Sequence, residues 1–180
     1  MKKLFLLVVL WLSLLTGIQE QFPKAIFPGD YPDPSILRDG KDYYMTHSPF
    51  CYAPGLLIWH STDLLHWEPV CRALSEYEAS IWAPDLLKYQ NRYYIYYPTS
   101  TGENFVIYAD NIRGPWSKPV KLDVKGIDPG HVVGEDGKRY LFTNNGWITP
   151  LSDDGLKVTG KSRKVYDGWE YPANWVTEGK

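Results

Sequence analysis

Apolar and polar residues alternate along this chain in short stretches punctuated by Gly, Pro, Asn and Asp, and no long amphipathic helical period interrupts them. The pattern predicts an all-β protein built from short strands. They fall at 35–37, 42–46 and 56–60, at 86–88, 93–97 and 105–109, and at 132–133, 139–143 and 147–151. Within each set the first two strands are separated by a turn pair: Asp39-Gly40, Gln90-Asn91 and Asp136-Gly137. An aspartate opens each set, in Tyr31-Pro32-Asp33-Pro34, Trp82-Ala83-Pro84-Asp85 and Gly126-Ile127-Asp128-Pro129. A repeat of roughly 40 to 50 residues with a hairpin inside each unit is the signature of β-propeller blades. The innermost strand of every blade starts near the central axis. Three aspartates in register are therefore expected to meet at one hub.

The sets end alike, with Asp63-Leu64-Leu65-His66-Trp67 and Asn111-Ile112-Arg113-Gly114-Pro115-Trp116 each carrying a Trp toward the outer part of a blade. No shift in composition separates them, so 21–180 reads as one domain. A further repeat begins around Trp175-Val176-Thr177-Glu178. Three blades and the start of a fourth cannot close a ring, and the expectation is the N-terminal part of a longer propeller, completed by further chain or by something else. Residues 1–20 stand apart. Lys2-Lys3 precedes an apolar run from Leu4 to Leu15, broken only by Ser13 and followed by small and polar residues. This is the pattern of a secretory signal peptide, too short to span a bilayer, and it predicts a secreted or periplasmic protein with no membrane association after its removal.

Composition sharpens this picture. The 180 residues are 44% hydrophobic and carry a net charge of −2, which supports an ordinary core and gives no reason to expect a nucleic-acid partner. Aromatics reach 16%, with 8 Trp and 14 Tyr. Most are expected to pack between sheets, and a minority to stack on sugar rings. In an exported chain Cys51 and Cys71 either form one disulfide or stay as two separate buried thiols. The four His show no zinc-ligand spacing.

Asp beside Pro is most often a turn residue, but a repeated carboxylate at a hub has chemical consequences. Like charges held together raise the pKa of one and leave another ionised, which separates acid from base as glycoside hydrolysis requires.

The segment from Met45 to Trp67 carries Ser48-Pro49-Phe50, Pro54-Gly55-Leu56 and His60-Ser61-Thr62-Asp63-Leu64, in that order. With Trp82-Ala83-Pro84-Asp85 and Ile127-Asp128-Pro129 it resembles glycoside hydrolase family 43 over residues 28–145. The resemblance implies a five-bladed propeller and an inverting enzyme acting on arabinose- and xylose-containing plant polysaccharides, most often a β-xylosidase or α-L-arabinofuranosidase. By position, Asp33 would be the general base and Asp128 the carboxylate that raises and orients the acid. Phe50 and Trp82 would line the sugar pocket, with Asp85 beside them near the hub in a mainly structural role. The family's acid is a Glu in Glu-Gly-Pro or Glu-Ser-Pro. Glu178-Gly179-Lys180 has Lys in place of Pro, so either Glu178 is the acid or the acid lies further along; Glu170 has no motif around it. No organic cofactor is implied, although a calcium ion at the hub of the complete propeller is. Three rivals stand beside this reading: a glycan-binding propeller without turnover, an inactive truncated fragment, and a retaining fructoside-type propeller, which Pro32 before Asp33 disfavours.

Overall fold

The computed structural model describes residues 25–77 and 79–167, and within them the chain forms three antiparallel four-stranded sheets. Blade one contains β1 (Ser35–Asp39), β2 (Asp42–Thr46), β3 (Leu57–Ser61) and β4 (Glu68–Arg72). Blade two contains β5 (Asp85–Tyr89), β6 (Arg92–Pro98), β7 (Asn104–Ala109) and β8 (Val120–Leu122). Blade three contains β9 (Gly130–Val133), β10 (Arg139–Thr143), β11 (Trp147–Pro150) and β12 (Arg163–Lys164). Each sheet is a meander in chain order. The predicted strands are all present. Each blade also has a fourth strand, the five-residue β4 or the shorter β8 and β12, in a stretch that reads as loop.

Strand alternation divides the core into two layers. On β6, Tyr93, Ile95 and Tyr97 face blade one and join Leu56, Ile58 and Leu86. Tyr94 and Tyr96 face the other way, against Leu141 and Leu151 of blade three. Val106 and Ile107 on β7 divide between the two layers in the same way. Blade two is thus apolar on both faces, which explains the near-continuous hydrophobic run of β6. At the inner strands of the outer two blades, Ile36 is 52% exposed and Val133 47%.

Cys51 is exposed and Cys71 half-buried, and both are free thiols. Of the two alternatives for these cysteines the structure takes the second only in part. Cys71 donates through Sγ to Ile112 O at 3.3 Å in the layer between blades one and two, where burial pushes its thiol pKa up. Cys51 is not buried.

Candidate active site

The prolines, not the aspartates, keep register between the blades. Ser35 pairs with Thr46, Asp85 with Tyr96 and Gly130 with Phe142, and each is the first residue of its inner strand. Pro34, Pro84 and Pro129 therefore correspond, and the residues before them are Asp33, Ala83 and Asp128. The expectation of three equivalent aspartates is corrected to two. Asp85 sits two residues further along, inside β5, where Ser35 and Gly130 stand in the other blades.

One backbone tie recurs at this end of every blade. Ser48 N donates to Pro32 O at 2.9 Å and Asn144 N to Ile127 O at 2.8 Å. In blade two the corresponding position is Pro98, which has no N–H, and the bond runs in reverse, from Trp82 N to Pro98 O at 3.0 Å. The starts of the inner strands are also wired to one another. Leu86 N donates to Ser35 Oγ at 2.9 Å, and His131 N donates to Asp85 Oδ2 at 2.7 Å. Asp33, Asp85 and Asp128 are thereby gathered along one rim of adjoining strand ends.

Asp33 and Asp128 share more than position. Both are exposed, and both hold left-handed backbone, with φ of 52° and 55°. Left-handed conformation is sparsely populated outside glycine, costs on the order of 1 kcal/mol, and persists where the surroundings impose it, as at active sites. Ala83, which takes the same place in blade two, is not among the positive-φ residues. The strain follows the carboxylates. Ser48 Oγ donates to Asp33 Oδ2 at 2.5 Å and fixes that carboxylate. The segment leading to Asp128 is held by Asn104 Nδ2, which donates to Val124 O and Gly126 O, and by Thr143 Oγ1, which donates to Lys125 O at 2.6 Å. Asn144 Oδ1 accepts from Ile127 N at 3.0 Å. Asn104 and Asn144 have no place in the sequence patterns, and Ser48 stands in the Ser48-Pro49-Phe50 motif without its tie to Asp33 being evident. Ser48 and Asn144 become visible once the Pro register is used, because they occupy one place in two blades.

Phe50 and Trp82 are brought to this rim together. Phe50 pairs with Ile81 through two backbone bonds of 3.1 Å, which sets Trp82 one residue from the pairing. Phe50 is 38% exposed with φ of 47°, and the half-buried Trp82 donates through Nε1 to Ser80 Oγ at 3.2 Å. An exposed ring and a hydrogen-bonded indole beside an exposed carboxylate make a surface suited to the apolar face of a sugar.

Asp85 behaves differently. Burial pushes its carboxyl up to about 6, opposed by the bond from His131 N, and no neighbouring carboxylate contributes. A carboxyl whose folded pKa lies above its unfolded value binds more protons when folded. It therefore lowers stability as pH rises between about 4 and 6. Asp85→Asn keeps an acceptor for His131 N and removes the ionisation. The variant is expected to be about 2 kcal/mol more stable than wild type at pH 7.5, with the difference vanishing near pH 4. Thermal unfolding at the two pH values measures this; a constant difference would show that ionisation of Asp85 is not its cause.

Glu178 and Glu170 lie outside the described residues, as does the segment 1–20. Among the described residues no group of three or more His, Cys, Asp or Glu is placed to hold a metal ion. No helix among them is long and apolar enough to cross a membrane.

Three sheets in chain order, with paired carboxylates at the starts of inner strands, define part of a β-propeller of the glycosidase type. The chain belongs to the Glycosyl hydrolases family 43, whose family description matches residues 22–180. It is 34% identical over 171 residues to a xylosidase/arabinosidase of Butyrivibrio fibrisolvens, covering 81% of this chain and 33% of that protein. It is likewise 34% identical over 155 residues to a non-reducing end alpha-L-arabinofuranosidase of Bacteroides ovatus, covering 78% of this chain and 29% of that one. The crystal structure of the GH43 protein BlXynB from Bacillus licheniformis superimposes with a TM-score of 0.74 at 31% identity, over 83% of this chain and 34% of that one. The chain spans about a third of the length of the curated relatives it matches. The three blades are those of a five-bladed family-43 propeller.

Proposed function

We propose that this chain supplies the base side of an inverting glycosidase that removes xylose or arabinose from plant polysaccharides or their oligosaccharides. The observation that carries the reading is the pair of strained, exposed aspartates at one position of blades one and three, beside Phe50 and Trp82. The activities by which the relatives are named, xylosidase and arabinofuranosidase, support the pentose class.

In this reading Asp33 takes a proton from water as the water oxygen attacks the anomeric carbon, and Ser48 holds the carboxylate toward it. The bond to the leaving oxygen breaks as that oxygen is protonated by a carboxylic acid outside the described residues, for which Glu178 is the candidate in this chain. Base and acid about 6.5–9.5 Å apart leave room for the water. Asp128 raises the acid's pKa and orients it. Phe50 and Trp82 hold the sugar ring, and Asp85 fixes the neighbouring strand starts. The Lys2-Lys3 and Leu4-to-Leu15 pattern supports export.

Hydrolysis of aryl β-xyloside and aryl α-L-arabinofuranoside by the protein, with the product anomer followed by NMR, tests the reading. Inverted product from either substrate is expected. Binding of pentosides without turnover would replace the enzyme with a glycan-binding propeller.

A further inference from the structure

A cavity of about 550 Å³ opens between blades one and two, and none of Asp33, Phe50, Trp82, Asp85 or Asp128 lines it. That volume suits a one- or two-ring ligand. Its floor is aromatic, with Tyr97 and Phe105 stacked at 5.8 Å. One wall is Trp116, half-buried and locked by a bond from Nε1 to Ile112 O at 3.2 Å. Gly114, at φ 89°, lets the indole lie against its own turn, since a Cβ there would stand 3.3 Å from Trp116 Cδ1. A fixed indole offers a stacking plane at little entropic cost.

Among the described residues the charges around this ring are unbalanced. Glu103 lines the cavity, but its carboxylate is engaged by Lys121 from outside and by Thr101. Against it and the exposed Glu76 stand Arg72, Arg113 and Lys118. Arg72 donates through Nη1 to Pro54 O at 2.8 Å, whereas Arg113 and Lys118 make no ion pair among the described residues. A locked indole beside two uncommitted cations is an arrangement for a ring that carries an anion.

We propose that the cleft between blades one and two is a second carbohydrate site, which takes a sugar bearing a carboxylate, a uronic acid, with its ring on Trp116 and its carboxylate on Arg113 and Lys118. The carbohydrate class rests on the glycosidase reading; the acidic character rests on the cleft. The site would hold a branched polysaccharide by its acidic substituents while the carboxylate rim works on a pentose elsewhere along it.

The test is calorimetric titration of the protein with methyl glucuronoside and with methyl xyloside, followed by pull-down on glucuronoxylan and on unbranched xylan. Methyl glucuronoside is expected to bind about ten-fold tighter than methyl xyloside at this cleft, the effect of one charge-assisted contact. Arg113→Ala with Lys118→Ala, both at exposed positions, should erase that preference and leave aryl pentoside hydrolysis unchanged. Trp116→Leu should weaken binding of the glucuronoside. Preferential retention on glucuronoxylan points to a polymer branch, and binding of methyl glucuronoside without such retention to a free uronic acid as occupant. Equal affinity for the two methyl glycosides, or a preference that survives loss of both cations, overturns the proposal. An active protein that ignores glucuronoside refutes this inference alone; one that binds it at the cleft but hydrolyses no pentoside refutes the glycosidase reading alone.

Discussion

Asp33→Asn is expected to lower kcat on an aryl pentoside by about a thousand-fold while leaving sugar affinity within a few-fold of wild type. The amide is nearly isosteric with the carboxylate, and its oxygen still accepts the bond from Ser48 Oγ that the carboxylate accepts at 2.5 Å. Asn also tolerates left-handed backbone better than most residues, so φ of 52° adds little new strain. Shape and fold are preserved, and what is lost is the ionisable carboxylate to which the proposed reading gives the base role. Ser48→Ala makes the complementary test, because it keeps the base and frees its orientation. A fall of about ten-fold is expected there, in kcat more than in KM. Near-normal turnover by Asp33→Asn would remove Asp33 from the base role. Equal losses in the two variants would mean that the pair acts through structure and not through proton transfer.

Much of this arrangement is legible in the sequence, and its failures have identifiable causes. The hairpins of each blade are announced by Asp39-Gly40, Gln90-Asn91 and Asp136-Gly137, where turn chemistry and strand alternation agree. The fourth strands are not. β4 contains Pro69 and ends on Arg72, β8 has three residues and β12 is Arg163–Lys164. Outer strands of this kind are short, charged and interrupted by proline, which suppresses edge pairing and also erases the pattern that would reveal them. Counting aspartates placed Asp85 beside Asp33 and Asp128, whereas the proline sets the register, since its fixed φ and missing N–H mark the entry to the inner strand. The ties made by Ser48 and Asn104 join positions distant in the chain, and no local pattern encodes them.

Arg139 opens β10, as the strand predicted at 139–143 requires, and its removal carries the largest expected loss of stability. Lys138-Arg139 directly follows the Asp136-Gly137 turn, yet Arg139 is 1% exposed. Its guanidinium lies 4.3 Å from the ring centroid of Tyr89 and 4.5 Å from that of Tyr94. It donates to His131 Nε2 at 2.9 Å, to Asp153 O at 3.2 Å and to Tyr96 Oη at 3.2 Å. Gly155 makes the room, because a Cβ there would stand 2.5 Å from both Tyr96 Oη and Arg139 Nη2. Burial and the adjacent guanidinium hold the His131 ring down at about 4, so it is neutral and accepts through Nε2 at physiological pH.

Two effects oppose each other in Arg139→Met. Removing a buried charge recovers its desolvation cost, which can make such a replacement neutral when all partners are replaced together. Here the partners remain. Half-buried His131 Nε2 and fully buried Tyr96 Oη lose a donor, each costing about 1–3 kcal/mol, whereas the carbonyl of exposed Asp153 can turn to water; two cation–π contacts go as well, at about 1 kcal/mol each. The losses outweigh the recovery, and a net destabilisation of about 3 kcal/mol is expected, a fall in Tm of about 6–12 °C. Losing the cation also lets the His131 pKa rise. The depressed pKa gives stability that is present above about pH 6.5 and lost toward pH 4, so Arg139→Met should flatten that acidic limb as well as lower the plateau. Thermal unfolding from pH 4 to 8 reads both. A variant as stable as wild type would mean that desolvation dominates, and that Arg139 is kept for the placement of His131 and the start of β9, not for the strength of the blade contact.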